Sequence, residues 1–322
     1  MTVAGASAAY AADFTPGSAG LGDPYFPLGG NGGYDVRHYG LTLSYEPQSN
    51  NLTGTAVIDA VATQDLSQFD LDLRGFDITA LAVNGTAAPF SRAGQELVIE
   101  PNEGLPTGEP FTVTIAYSGT PSVVTDPDGS IEGWVPTDDG AVSVGEPQGS
   151  PGWYPCNDNP QDKAQYDFAI TVPAGLTAMS NGVLASQSTS NGRTTWTWHA
   201  ADPMATYLAT VDIGRFDLTT SSVDGIPSYV AVDPQLSKGQ VLSKLPAIVE
   251  YYSSIYGDYP FSAVGAIVDS AKNLGYSLET QTKPLFPYMP SRSRPVDSGS
   301  RSSRSTRCRS TRCRRVPPRT RR

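Results

Sequence analysis

The feature that most constrains this chain is a two-residue alternation that returns many times. Tyr39, Leu41, Leu43 and Tyr45 alternate with small or polar residues, and Phe69, Leu71 and Leu73 alternate with Asp70 and Asp72. Phe111, Val113, Ile115 and Tyr117 repeat the pattern, as do Tyr166, Phe168, Ile170 and Val172, then Trp196 and Trp198, then Tyr207, Ala209, Val211 and Ile213. Successive side chains of a strand point to opposite faces, so each run predicts a strand with one buried face. Val83-Asn84-Gly85 and Ser180-Asn181-Gly182 read as tight turns between them. Thirty-two Gly and 27 Pro among 322 residues agree with a fold rich in turns. The expectation is a mainly β protein whose residues 22–232 form one large antiparallel domain of the sandwich kind.

The period changes near Pro234. Leu242, Leu245, Val249, Tyr252 and Tyr256 fall at helical spacing, and Gly257 follows as a C-cap. Pro246 lies inside that pattern, so the helix is either kinked there or starts close to it. Ala263–Val268 is a short apolar run that suits a buried strand. Residues 233–290 are therefore expected to begin an α/β unit.

The two ends differ from the body. Residues 1–21 read as the remnant of a secretory signal and a linker, with small apolar residues before Asp13 and no charged start. This predicts a secreted, extracellular protein with an incomplete signal. Residues 13–33, rich in Gly and Pro, suit a linker or a wrapped arm. Residues 291–322 hold twelve Arg, eight Ser and one acid. No core can be built from them, and disorder is expected. Nucleic-acid binding, another basic-tail role and a changed reading frame are the three readings of this tail, and the abrupt charge reversal favours the last. The preceding 290 residues carry 31 acidic and 10 basic residues. An acidic body is repelled by nucleic acid and anionic lipid, and no apolar run is long enough to span a bilayer. No nucleic-acid or membrane partner is expected, and a monomer is.

Chemistry-bearing residues are few. There are two histidines, His38 and His199, each read as a strand residue satisfied by local hydrogen bonds. No H-E-x-x-H occurs, so the two-imidazole helix face that grips zinc is absent. No G-x-S-x-G and no P-loop occur either. Asp126 and Asp128 beside Gly129 read as a solvated turn rather than a calcium loop. Two segments stand out instead. One runs from Glu146 through Trp153-Tyr154-Pro155-Cys156-Asn157-Asp158-Asn159-Pro160 to Lys163-Ala164, and the other is Asn273–Thr282, with Glu279 inside it.

The order of these segments resembles the aminopeptidase N-like zinc metallopeptidases (gluzincin aminopeptidases), especially their secreted bacterial branch. Gly22–Pro27 and Gly33–Tyr39 resemble the opening of that family's N-terminal domain, which implies a saddle-like β domain followed by the start of a thermolysin-like domain. The Glu146–Ala164 loop resembles the family's Glu…Phe-Pro-Cys-x-Asp-x-Pro…Lys-Ala segment. Tyr276-Ser277-Leu278-Glu279-Thr280 looks like a variant of G-A-M-E-N, with Tyr, Ser, Leu and Thr replacing Gly, Ala, Met and Asn. Val144 stands where a Gln often precedes the first glutamate.

The resemblance implies hydrolysis of N-terminal residues from peptides, with a zinc-bound water as nucleophile. Carboxylates, here Glu146 and Glu279, hold the substrate α-ammonium, and the backbone of Tyr276 and Ser277 lies along the peptide. Zinc belongs to the intact family member. This chain has no zinc ligands and no catalytic base, so it is expected to be truncated before the metal site and inactive alone. The alternative is a secreted, non-catalytic β-sandwich binding module using Trp134, Trp153, Trp196 and Trp198 as a ligand platform, although core packing explains Trp196 and Trp198 better.

Overall fold

A computed structural model of the chain describes residues 13–125, 129–236, 242–272 and 274–287. The expected signal remnant before residue 13, the Asp126/Asp128 turn and the Arg/Ser tail lie outside these residues. In chain order the strands are β1 (Thr15–Pro16), β2 (Tyr34–Glu46), β3 (Asn51–Ala62), β4 (Leu66–Asp72), β5 (Asp77–Val83), β6 (Thr86–Ala87), β7 (Phe90–Ala93), β8 (Glu96–Ile99), β9 (Pro110–Gly119), β10 (Val123–Thr125) and β11 (Ile131–Pro136). They continue as β12 (Ala141–Val144), β13 (Ala164–Pro173), β14 (Thr177–Ser180), β15 (Val183–Ser190), β16 (Arg193–Met204), β17 (Val211–Gly214), β18 (Asp217–Val223) and β19 (Ile226–Val232). Helix α1 (Leu245–Tyr256), β20 (Val264–Val268) and β21 (Leu285–Phe286) complete the fold.

The alternation of β2, β9 and β13 produces what it predicts, with every second residue buried on one face. These strands belong to an eight-stranded sheet ordered β15-β16-β13-β2-β3-β9-β5-β6. Two smaller sheets, β1-β4-β8-β7 and β10-β11-β12-β17-β14, accompany it. Both pack on it through aromatic rings. Phe69 of β4 meets Phe111 of β9 at 5.3 Å between ring centres, and Trp134 of β11 meets Tyr45 of β2 at 5.1 Å. On the large sheet itself Tyr166 stacks on Tyr39 at 4.9 Å and on Phe168 at 5.6 Å. Gly54 makes one close approach possible, because a Cβ there would fall 2.2 Å from the Tyr117 ring.

One pair of strands departs from the antiparallel expectation. The large sheet is not wholly antiparallel, since β13 runs parallel to β2. Strands β18 and β19 join β20 and β21 in a separate four-stranded sheet, in which β19 pairs with β20 in parallel. Side-chain alternation fixes which face is buried but carries no information on strand direction or sheet membership. The arm from residue 13 is wrapped onto the domain, where Thr15 donates its amide to Asp65 and Gly17 to Gln68.

Helix α1 starts with Pro246 in its first turn, where a missing N–H costs nothing, and stops at Gly257 with φ 96°. Val249 is its one buried residue, packed with Val223 and Val264. Ile248, Tyr251, Tyr252, Ile255 and Tyr256 are exposed.

Phe168 is fully buried and stacks on Tyr166 of the same strand. Phe168→Ala should cost about 3–5 kcal/mol, read as a lower denaturant midpoint at unchanged slope. A change below about 1 kcal/mol would show that this ring stack does not carry the core.

Candidate functional site

The first segment leaves β12 at Gly145, where a Cβ would sit 2.6 Å from the Tyr207 carbonyl oxygen. Glu146 is exposed and joined to Pro147 by a cis peptide bond. A 3-10 turn at Ser150–Gly152 then drives Trp153 and Tyr154 into the core, where they touch Trp134 and Tyr39. The following residues are held from below by buried polar groups. Asp72 accepts hydrogen bonds from the amide of Asp158 (2.8 Å), from Asn31 Nδ2 (3.3 Å) and from Gln95 Nε2 (3.2 Å). Asp158 accepts from Thr206 Oγ1 at 2.5 Å. Asn157 donates to Asp162, whose carboxylate also takes the amide of Val36.

The second segment forms the rim of the small sheet. Leu278 exchanges both backbone hydrogen bonds with Leu285, at 3.1 and 2.8 Å, so residues around 278 run antiparallel to β21. Exposure alternates along it, with Ser277 and Glu279 outward and Leu278 and Thr280 buried. Tyr276 is half-buried, and its hydroxyl donates to the carbonyl of Ile131 at 2.8 Å. The amide of Gln148, two residues after Glu146, donates to Glu132 Oε2 at 2.9 Å. Ile131 and Glu132 are consecutive residues of β11. The two segments singled out in the sequence are therefore tied to adjacent positions on one strand.

Several carboxyls that support this arrangement titrate far from their ordinary range. Burial, assisted by Asp158 nearby, pushes Asp72 up to about 7. Burial alone is the main cause for Asp158 and Asp162, each raised to about 7. Burial with Asp72 and Asp70 close by pushes Glu96 up to about 8. The alternation read Asp70 and Asp72 as the solvent side of a strand, yet both are buried because β4 is covered on both faces. No sequence signal pointed to Glu132 or Lys283 as buried polar residues. For the Asn157–Asp162 network the density of turn residues was the clue.

The histidines behave as expected of strand residues. His38 Nε2 and His199 Nδ1 bracket Asp167 at 2.9 and 2.7 Å. Burial pushes Asp167 up, but the bonds from His199 and His38 outweigh it and hold the carboxyl below its usual range. With both histidines so engaged, and with no group of three or more His, Cys, Asp or Glu side chains suited to a metal among the described residues, the residues present do not make a zinc site. The tryptophans form no platform, since Trp134, Trp153 and Trp198 are fully buried and Trp196 is 6% exposed.

The Peptidase M1 N-terminal domain family matches residues 35–208, and the chain belongs to the peptidase M1 family through that domain. Glutamyl aminopeptidase of Sus scrofa is 28% identical over 225 residues, covering 62% of this chain and 23% of that protein. Aminopeptidase M1 of Arabidopsis thaliana is 25% identical over 210 residues, covering 59% and 23%. An M1 zinc metallopeptidase of Deinococcus radiodurans, solved bound to a Tyr-Ser-Ala substrate, superposes with a TM-score of 0.77 at 29% identity, covering 83% of this chain and 64% of that one. The chain thus spans under a quarter of the length of these two curated relatives.

The raised carboxyls set a pH dependence. Asp72, Asp158 and Glu96 titrate higher in the fold than in the unfolded chain, where the ordinary values of 3.8 and 4.5 apply. Between those values and about 8 the folded state holds protons that the unfolded state has released, so stability falls as pH rises through this window and levels above it. One such group can contribute on the order of 4 kcal/mol at most. The melting temperature should drop between pH 5 and pH 8.5, and Asp72→Asn should flatten the slope. A flat or rising profile would contradict these protonation states.

Proposed function

We propose that this chain carries the amine-recognition side of an M1 aminopeptidase site. Glu146 and Glu279 pair with the α-ammonium of a peptide, and the backbone at Tyr276 and Ser277 runs beside the peptide main chain. The observation that carries this reading is the convergence on β11, where exposed Glu146 and Glu279 stand on segments bonded to Glu132 and Ile131 respectively. Two carboxylates facing one ammonium give charge-assisted hydrogen bonds, and they measure distance from a free N-terminus.

Zinc, as in the M1 zinc metallopeptidases, would supply the activated water. This chain's own residues bind and orient, so the chain alone takes up peptide N-termini without cleaving them. Its partners are peptides, and it acts outside the cell as a monomer. An acidic body of 31 acidic and 10 basic residues over positions 1–290 disfavours nucleic acid and anionic lipid. Among the described residues no helix is long and apolar enough to cross a membrane.

Titration of the purified chain with Tyr-Ser-Ala and with its N-acetylated form tests the reading. The free tripeptide should bind and the acetylated one should not, with Glu146→Gln and Glu279→Gln each weakening binding about ten-fold. Equal binding of both peptides would refute amine recognition. Incubation with zinc and an aminoacyl-arylamide should release no arylamine, and steady turnover would overturn the assignment of binding without hydrolysis.

A further inference from the structure

Lys283 has no part in the function proposed above and stands in a costly place. Its side chain is fully buried, and Nζ donates to the carbonyl of Gly182. Nζ also lies 4.6 Å from the centre of the Trp198 ring and 5.2 Å from that of Tyr229. Burial drives its pKa well below the ordinary lysine range. An apolar side chain of similar size would fill the same space without desolvating an ammonium. Fold stability alone does not explain a lysine here.

What Lys283 holds is a turn. Thr280 Oγ1 donates to the Lys283 carbonyl at 2.6 Å and closes residues 280–283. Thr282 sits at φ 71°, a region that β-branched residues rarely adopt. Asn181 Nδ2 donates to the carbonyl of Gln281 at 2.8 Å, and the amide of Gly182 donates to Thr282 Oγ1 at 3.0 Å. Residues 281–283 are thus bonded one after another to the Asn181-Gly182 turn, which hands the chain from the five-stranded sheet to the eight-stranded one. Glu279 lies immediately before this turn with its side chain in solvent, so its position follows from the backbone that carries it.

We propose that Lys283 is the positioning residue for Glu279. Its Nζ, set against the rings of Trp198 and Tyr229 and bonded to Gly182, pins the 280–283 turn to the β domain and sets where the Glu279 carboxylate stands. The proposal rests on Glu279 being an amine-binding carboxylate.

The test is Lys283→Met in the full chain, with Tyr-Ser-Ala and its N-acetylated form as probes. Affinity for the free tripeptide should fall about ten-fold. Amide hydrogen exchange at 278–282 should quicken, while residues 34–46 keep their protection. Wild-type affinity with unchanged exchange in the variant would overturn the proposal. Should that variant fail to fold, Thr282→Val removes one bond of the clamp and leaves the lysine in place. It should lose about three-fold in affinity with quicker exchange at 278–282, and unchanged affinity would again overturn the proposal. A wild-type chain that binds neither peptide would instead overturn the amine-binding reading, and this inference with it.

Discussion

Strand β11 is the element to which both segments of the candidate site are bonded. The strand is hydrogen-bonded between β10 and β12, and its Trp134 is locked against Tyr45 and Trp153. On that fixed line the Ile131 carbonyl takes the Tyr276 hydroxyl, and the neighbouring Glu132 takes the Gln148 amide. Segments far apart in sequence are thereby referred to one strand, as the proposed amine recognition requires.

The support beneath the first segment is polar where a purely stabilising core would be apolar. Asp72, Asp158 and Asp162 are buried beside Asn31 and Asn157, and burial drives the three carboxyls toward their neutral forms. Buried polar groups of this kind cost stability unless each finds a partner, and here the partners include the backbone amides of Asn31, Val36 and Asp158 and the Thr206 hydroxyl. The network therefore specifies one conformation of the 145–162 loop. The Asn181-Gly182 turn does the same for the second segment through Gln281, Thr282 and Lys283.

Much of this was legible from residue order. The alternations of β2, β9 and β13 gave the buried face of the large sheet, and Pro246 and Gly257 bounded α1. The resemblance to aminopeptidase N-like metallopeptidases singled out Glu146, Tyr276, Ser277 and Glu279, whose role is a proposal. Strand direction was not legible, since a parallel β2–β13 pair and an antiparallel one have the same pattern of buried residues. The transfer of β18 and β19 to the second sheet was equally hidden, because pairing between β19 and β20 depends on a distant strand. The burial of Asp72 and Lys283 was hidden for a different reason. Hydropathy assigns charged residues to solvent, and here both are buried by layers contributed from elsewhere in the chain.

The most direct measurement of the central claim is the ionisation of a bound ligand. The α-amine of Tyr-Ser-Ala, labelled with nitrogen-15, can be titrated by NMR free and in complex with the chain. Two carboxylates beside the amine favour its charged form, so its pKa in the complex should rise above the free value of about 8, and the rise should shrink when Glu146 or Glu279 is replaced by Gln. An unshifted or lowered pKa in the complex would contradict the convergence of Glu146 and Glu279 on one ammonium.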